Sequence, residues 1–192
     1  MWPSLTVSLE SARAELSRLG YRIAEESSDR IVAARARCYW DCLTRAFVIV
    51  LVRRVDRLGL DVIQQDEERL LARVRELDTG PLPARLLGVR VVLPIYLAET
   101  WAEGVAERCH ADPRFHWSRV VAPSVRSSKG EVARLGGPPL WFVALFVKYS
   151  FLTRRLLEPD STPEREPRSK LGIAVLTGLG ALLSFAVADL LS

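Results

Sequence analysis

The feature that most constrains this chain is its last stretch, Leu171 to Leu191, which reads LGIAVLTGLGALLSFAVADLL. Its 21 residues carry one charge, Asp189, near the end. As a helix rising 1.5 Å per residue it covers roughly 30 Å, the thickness of a bilayer's hydrocarbon core. The competing reading is a buried core helix, but the segment has no polar face and follows a proline-rich charged stretch. A single spanning helix is therefore expected. Arg165, Arg168 and Lys170 precede it and only Asp189 and the terminal carboxylate follow. That asymmetry keeps the preceding domain in the cytoplasm of a single-pass cell-membrane protein, with lipid as one partner. Ala174 and Gly178, and Gly180, Ser184 and Ala188, stand four apart. Small residues at that spacing let two helices approach closely, although small-residue content alone also explains them.

Pro159 to Lys170 (PDSTPEREPRSK) is a linker, which leaves residues 1–158 as a domain. Composition suits a globular fold: 49% hydrophobic and 26% charged. The mean hydropathy of +0.11 is high for that charge content, and the tail accounts for the excess. The net charge is +4, and of 27 basic residues only Lys129, Lys148 and Lys170 are lysine. The arginines are spread and interleaved with acids, so the pattern reads as coding bias and not as a nucleic-acid footprint, which would be clustered. Three cysteines argue against a disulfide framework. The first residues, MWPSL, have neither the basic start nor the apolar run of a secretory signal.

Within the domain the periodicity predicts a mixed α/β (α+β) sheet of about five strands with packed helices. Ser8 caps a short helix whose apolar face is Leu9, Ala12, Leu16 and Leu19, and Gly20 stops it. Ile31 to Trp40 alternates as a strand. Ala46 to Val52 is apolar on both faces and far too short to span a bilayer, which suits a central strand covered on both sides. Asp61 to Leu77 is a helix with Val62, Leu70, Val74 and Leu77 as its stripe; Asp66, Glu67 and Glu68 precede Arg69, Arg73 and Arg75 as surface pairs. Val89 to Leu97 is a strand that Pro94 assigns to an edge or a bulge. Thr100 to Cys109 is a short helix, Trp117 to Val125 a strand, and Ser127 to Gly130 a hairpin turn into Glu131 to Leu135. Leu140 to Leu157 is a helix interrupted by Lys148. It reads as part of the domain, with Trp141, Phe142, Phe146, Tyr149 and Phe151 as its aromatic contact surface for a partner or the membrane.

Motifs for catalysis are few. Gly136-Gly137-Pro138-Pro139 is not a phosphate cradle, because no Gly-Lys-Ser/Thr follows. Asp41, Asp56 and Glu99 near strand ends would suit a nuclease-like acidic site only with a strand Glu-x-Lys, which is missing beside them. Cys38, Cys42, Cys109 and His116 are candidate zinc ligands, with His110 beside them. The plainer reading is buried cysteines acting as small hydrophobes, and no metal or cofactor is expected.

The stretch from Trp117 to Pro159, containing VVAPSVRSSKGEVARLGGPPLWFVALFVKYSFLTRRLLEP, resembles the end of an uncharacterised family of small prokaryotic α/β proteins. The resemblance is carried by a strand, a Gly-containing hairpin, the Pro139-Leu140-Trp141 turn and an aromatic helix ending in basic residues. It implies the fold and no activity. The sequence departs from it in the apolar run Phe142 to Phe146 and in the membrane tail. The expected role is thus a membrane-tethered interaction or adaptor module, or a small subunit of a membrane complex, with a protein partner or a second copy and no nucleic acid. The alternative is a membrane-bound enzyme or metal-binding protein whose site is assembled from Asp41, Glu99, His116 and similar scattered residues.

Overall fold

The computed structural model describes residues 8–39, 44–78, 89–111, 114–116, 119–135 and 143–158, with backbone alone for 37–39, 44–45, 114–116 and 143–148. Helix α1 (Leu9–Arg18) begins at Ser8, whose hydroxyl accepts from the Ser11 amide in a reciprocal capping box. Ala12 and Leu16 are its buried residues. Gly20 follows with φ +78, the left-handed turn that lets the chain leave the helix.

The chain then lays down β1 (Arg22–Glu26), β2 (Arg30–Tyr39) and β3 (Thr44–Leu58) as an antiparallel meander. Helix α2 (Leu60–Leu77) crosses back, and β4 (Val89–Trp101) runs parallel to β3. Helix α3 (Val105–His110) and the short strands β5 (Arg114–His116), β6 (Arg119–Val121), β7 (Ser124–Ser127) and β8 (Val132–Ala133) follow, and helix α4 (Val143–Leu157) is the last described element. The strand order is β1-β2-β3-β4-β6-β5, with β7 also on β4 and β8 on β7.

Helices cover both faces. Alternate residues of β3, Ala46, Val48, Val50 and Val52, join Ala12 and Leu16 of α1 and Leu152 and Leu156 of α4 in one cluster. The intervening Phe47, Ile49 and Leu51 meet Leu70 and Val74 of α2. Double coverage is why Ala46 to Val52 has no polar alternation, as its sequence predicts. A third cluster holds the carboxyl end of β3 and β4 to α3: Leu58, Ile63, Tyr96, Ala98, Val105 and Cys109.

Four expectations change. Among the described residues the sheet has eight strands and not about five, since β1 and β5 are too short or too charged to show a period and the stretch from Trp117 holds two strands, β6 and β7. Residues Thr100 and Trp101 finish β4, and the helix expected from Thr100 starts only at Val105, after Gly104 turns with φ +82. Trp117 to Val125 is not one strand, because β6 ends at Val121 and β7 starts at Ser124.

Pro94 stands at neither an edge nor a bulge. It pairs with Leu51 in an unbroken register from Ala46–Val89 to Leu58–Trp101. On the other side β6 pairs with residues 90–92 and β7 with residues 95–98. The Val92 carbonyl accepts from the Ala122 amide at 3.1 Å, so that residue's polar edge faces β6. Backbone polarity alternates, and Pro94, two residues on, presents its missing N–H to the break between β6 and β7.

Candidate functional site

Parallel strands with a helical crossover place polar chemistry at their carboxyl ends, and this domain concentrates charge there. Helix α2 buries Ile63, Asp66, Glu67, Leu70 and Val74, the i, i+3, i+4, i+7 face of an amphipathic helix. Asp66 and Glu67 sit on that face at 2% and 5% exposure. Arg53 of β3 reaches Asp66 with one nitrogen at 3.0 and 2.8 Å from its two oxygens. Arg69 adds a contact to Asp66 at 3.7 Å, and Asp29 in the β1–β2 turn lies 4.0 Å from Arg53 Nε. Glu67 accepts from Arg108 of α3 at 2.6 Å. A buried charge is tolerated only when paired in this way.

Tyr96 is the register partner of Arg53 and is fully enclosed. Burial first, then the charges of Asp66 and Glu67, push its pKa above the ordinary tyrosine range. It stays a neutral phenol. For Arg53, burial works against the charge, but the hydrogen bond and charge of Asp66 more than offset it. The Asp29 carboxyl is held below its ordinary range by the Ser27 hydroxyl, then by Arg53 and Arg30. The network is thus an arginine–carboxylate lattice that ties β3 and α3 to α2.

The surface reading of Asp66 and Glu67 is therefore corrected: both point inward to partners 13 and 41 residues away. The sequence carried a signal in their spacing, because 63, 66, 67, 70 and 74 form one stripe. Their partners had none.

The residues singled out for chemistry fall in several places. Asp56 and Glu99 are both exposed and lie between the register pairs Val55–Ala98 and Arg57–Thr100. Their backbone positions are adjacent, near the carboxyl ends of β3 and β4. Asp41 lies outside the described residues. Cys109 is 1% exposed on α3, and burial pushes its thiol pKa up to about 12. A thiol so protonated is a poor nucleophile or ligand. Cys38 pairs through its backbone with Arg45, whereas Cys109 clusters with Leu58 at the other end of β3. Thirteen residues of strand separate those ends by roughly 40 Å. His116 sits opposite Arg119, which pairs with Arg90 near the amino end of β4. The backbone thus does not bring Cys38, Cys109 and His116 to one place; Cys42 lies outside the described residues. Among the described residues no three His, Cys, Asp or Glu side chains converge as a metal site. His110 is exposed, and its Nδ1 lies 2.9 Å from the Arg134 carbonyl.

Helix α4 spends its described aromatics on the fold. Tyr149 and Phe151 are 6% and 5% exposed. They are not available to a partner, which leaves that reading to Trp141, Phe142 and Phe146, whose side chains lie outside those described. At its end, Arg126 of β7 donates to the Leu157 carbonyl, Arg155 pairs with Glu15 of α1, and Arg134 lies 3.6 Å from Glu158. Among the described residues no helix is long and apolar enough to cross a membrane; Leu171 to Leu191, with Ala174, Gly178, Gly180, Ser184 and Ala188, lies outside them.

The chain matches no protein-family model and no curated protein.

Proposed function

We propose that this protein is a membrane-tethered binding module: an α/β domain carried on a short linker by one spanning helix, Leu171 to Leu191. It acts by contact with a protein partner or a second copy, in the cytoplasm. The observation that carries this reading is the anchorage of α4. Its last turn is held by Arg126, Arg134 and Arg155 immediately before the linker begins. A domain hung from its carboxyl end needs that end fixed to its core. The basic residues Arg165, Arg168 and Lys170 support the cytoplasmic side. The small-residue positions Ala174, Gly178, Gly180, Ser184 and Ala188 supply a pairing face.

Sedimentation with membranes after a high-salt wash tests the anchor. The full chain is expected in the pellet, and the chain ending at Lys170 in the supernatant with an unchanged circular-dichroism spectrum. A truncated chain that still pellets would defeat the reading. Capture from detergent-solubilised membranes then separates a stoichiometric partner from a self-paired dimer.

The adjacent strand positions of the exposed Asp56 and Glu99 favour a second reading, a membrane-bound enzyme or metal protein with its site at the carboxyl ends of β3 and β4. Calorimetric titration with Mn²⁺ distinguishes the two: binding that disappears in Asp56→Asn and Glu99→Gln supports the second.

A further inference from the structure

The last turn of a helix is its weakest part, because its final four carbonyls find no partner within the helix. In α4 that turn is gripped from outside. Arg126 arrives from β7 and donates to the Leu157 carbonyl. Arg134 arrives from the residue after β8 and meets Glu158 at 3.6 Å. Glu15 arrives from α1 and takes Arg155 while also accepting from Arg18 at 2.8 and 2.9 Å. Positive groups at a helix carboxyl end also face its negative dipole. The Arg155–Glu15 pair is 16% and 18% exposed and the Arg134–Glu158 pair 21% and 29%, so solvent screens these pairs less than it would a surface bridge. Behind them, Leu152, Leu156 and Leu157 are seated in the core.

We infer that the final turn of α4 is a load-sharing clamp, in which three arginine contacts to three separate elements spread any pull from residue 159 onward into α1, β7 and the β8 end. A helix pulled from an unheld end peels one turn at a time. This one is held at Glu158 by Arg134 and at Leu157 by Arg126 together with the buried Leu156 and Leu157 side chains, and at Arg155 by Glu15 behind them. The source of the load rests on the membrane-tether reading, but the clamp does not.

Hydrogen exchange on the full chain in lipid nanodiscs tests it, comparing the wild type with Arg126→Gln, Glu15→Gln and the double variant. Each single change is expected to speed exchange of the amides from Arg154 to Glu158 by about tenfold or more, the loss of one charge-assisted bond. The double variant is expected to speed it further. Amides of Val48 to Val52 and Val91 to Ile95 keep their wild-type rates. Unchanged rates at the turn in both single variants overturn the clamp. So does an equal rise across β3 and β4, which would mean that α4 does not open as a unit. If a variant does not fold, the wild-type profile decides: the clamp requires the last turn to be as protected as Ser150 to Thr153, and a frayed end refutes it. Loss of membrane retention in sedimentation would sink the tether and leave the exchange result standing, so the two ideas fail separately.

Discussion

Asp66 and Glu67 occupy positions where an amphipathic helix ordinarily carries leucine, and each is neutralised by an arginine from another element. Removing one partner of such a pair leaves a buried charge unmet, a loss of about 3–5 kcal/mol. Asp66→Ala is therefore expected to lower unfolding free energy by that amount in urea titration. The pair Arg53→Met with Asp66→Leu is expected to recover most of it, since apolar replacement of both partners is often neutral. Glu15 makes a different prediction. Its carboxyl is held below its ordinary value of 4.5, first by the Arg18 hydrogen bond and then by Arg155. Between the lowered value and 4.5 the unfolded chain binds more protons than the folded one, so stability rises with pH through that window. The contribution is complete above 4.5 and is lost as pH falls through the folded value. Thermal midpoints measured against pH are expected to show this slope in the wild type and a shallower one in Glu15→Gln. Local signals such as the Ser8 cap were readable from sequence, because both partners lie within one turn. The ion pairs were not, because an arginine's partner across the fold leaves no mark near it.

At the level of elements, the strong periods held and the short ones vanished. The central strand through Ala46 to Val52 and the two long helices follow from apolar spacing alone. β1, with the sequence RIAEE, carries two acids on an edge strand, so hydropathy does not mark it. The position of Pro94 was misread because edge status was assumed to belong to a whole strand. In fact one flank of β4 is continuous and the other is split between β6 and β7. Glycine turns give a test at this scale. Gly104 and Gly130 both hold left-handed backbone, at φ +82 and +88. Alanine at either is expected to cost about 1–2 kcal/mol from backbone alone. A Cβ at Gly104 would also stand 3.3 Å from Leu60 Cδ1, whereas none within 4 Å meets one at Gly130. Gly104→Ala should therefore show the larger drop in urea midpoint. Equal drops would mean that Leu60 yields freely.

The whole domain is a three-layer assembly whose sheet is laid out almost in the order of the chain. β1, β2, β3 and β4 are successive neighbours, and the later short strands add beyond them. The β1–β2–β3 meander closes locally, whereas β3 and β4 pair only across the crossover, Ala46 with Val89, a non-local parallel closure of the slower kind. During synthesis β2, β3 and β4 each find a neighbour already made, whereas β5 waits for β6, and domains generally complete themselves from the amino end. The ion pair between Glu15 and Arg155 joins residues 140 positions apart. It forms only when α4 has left the ribosome. The contact that joins α1 to α4 is thereby a marker of completion: before Arg155 has emerged, one face of the sheet is covered by α1 alone, and once Glu158 has emerged α4 can complete it.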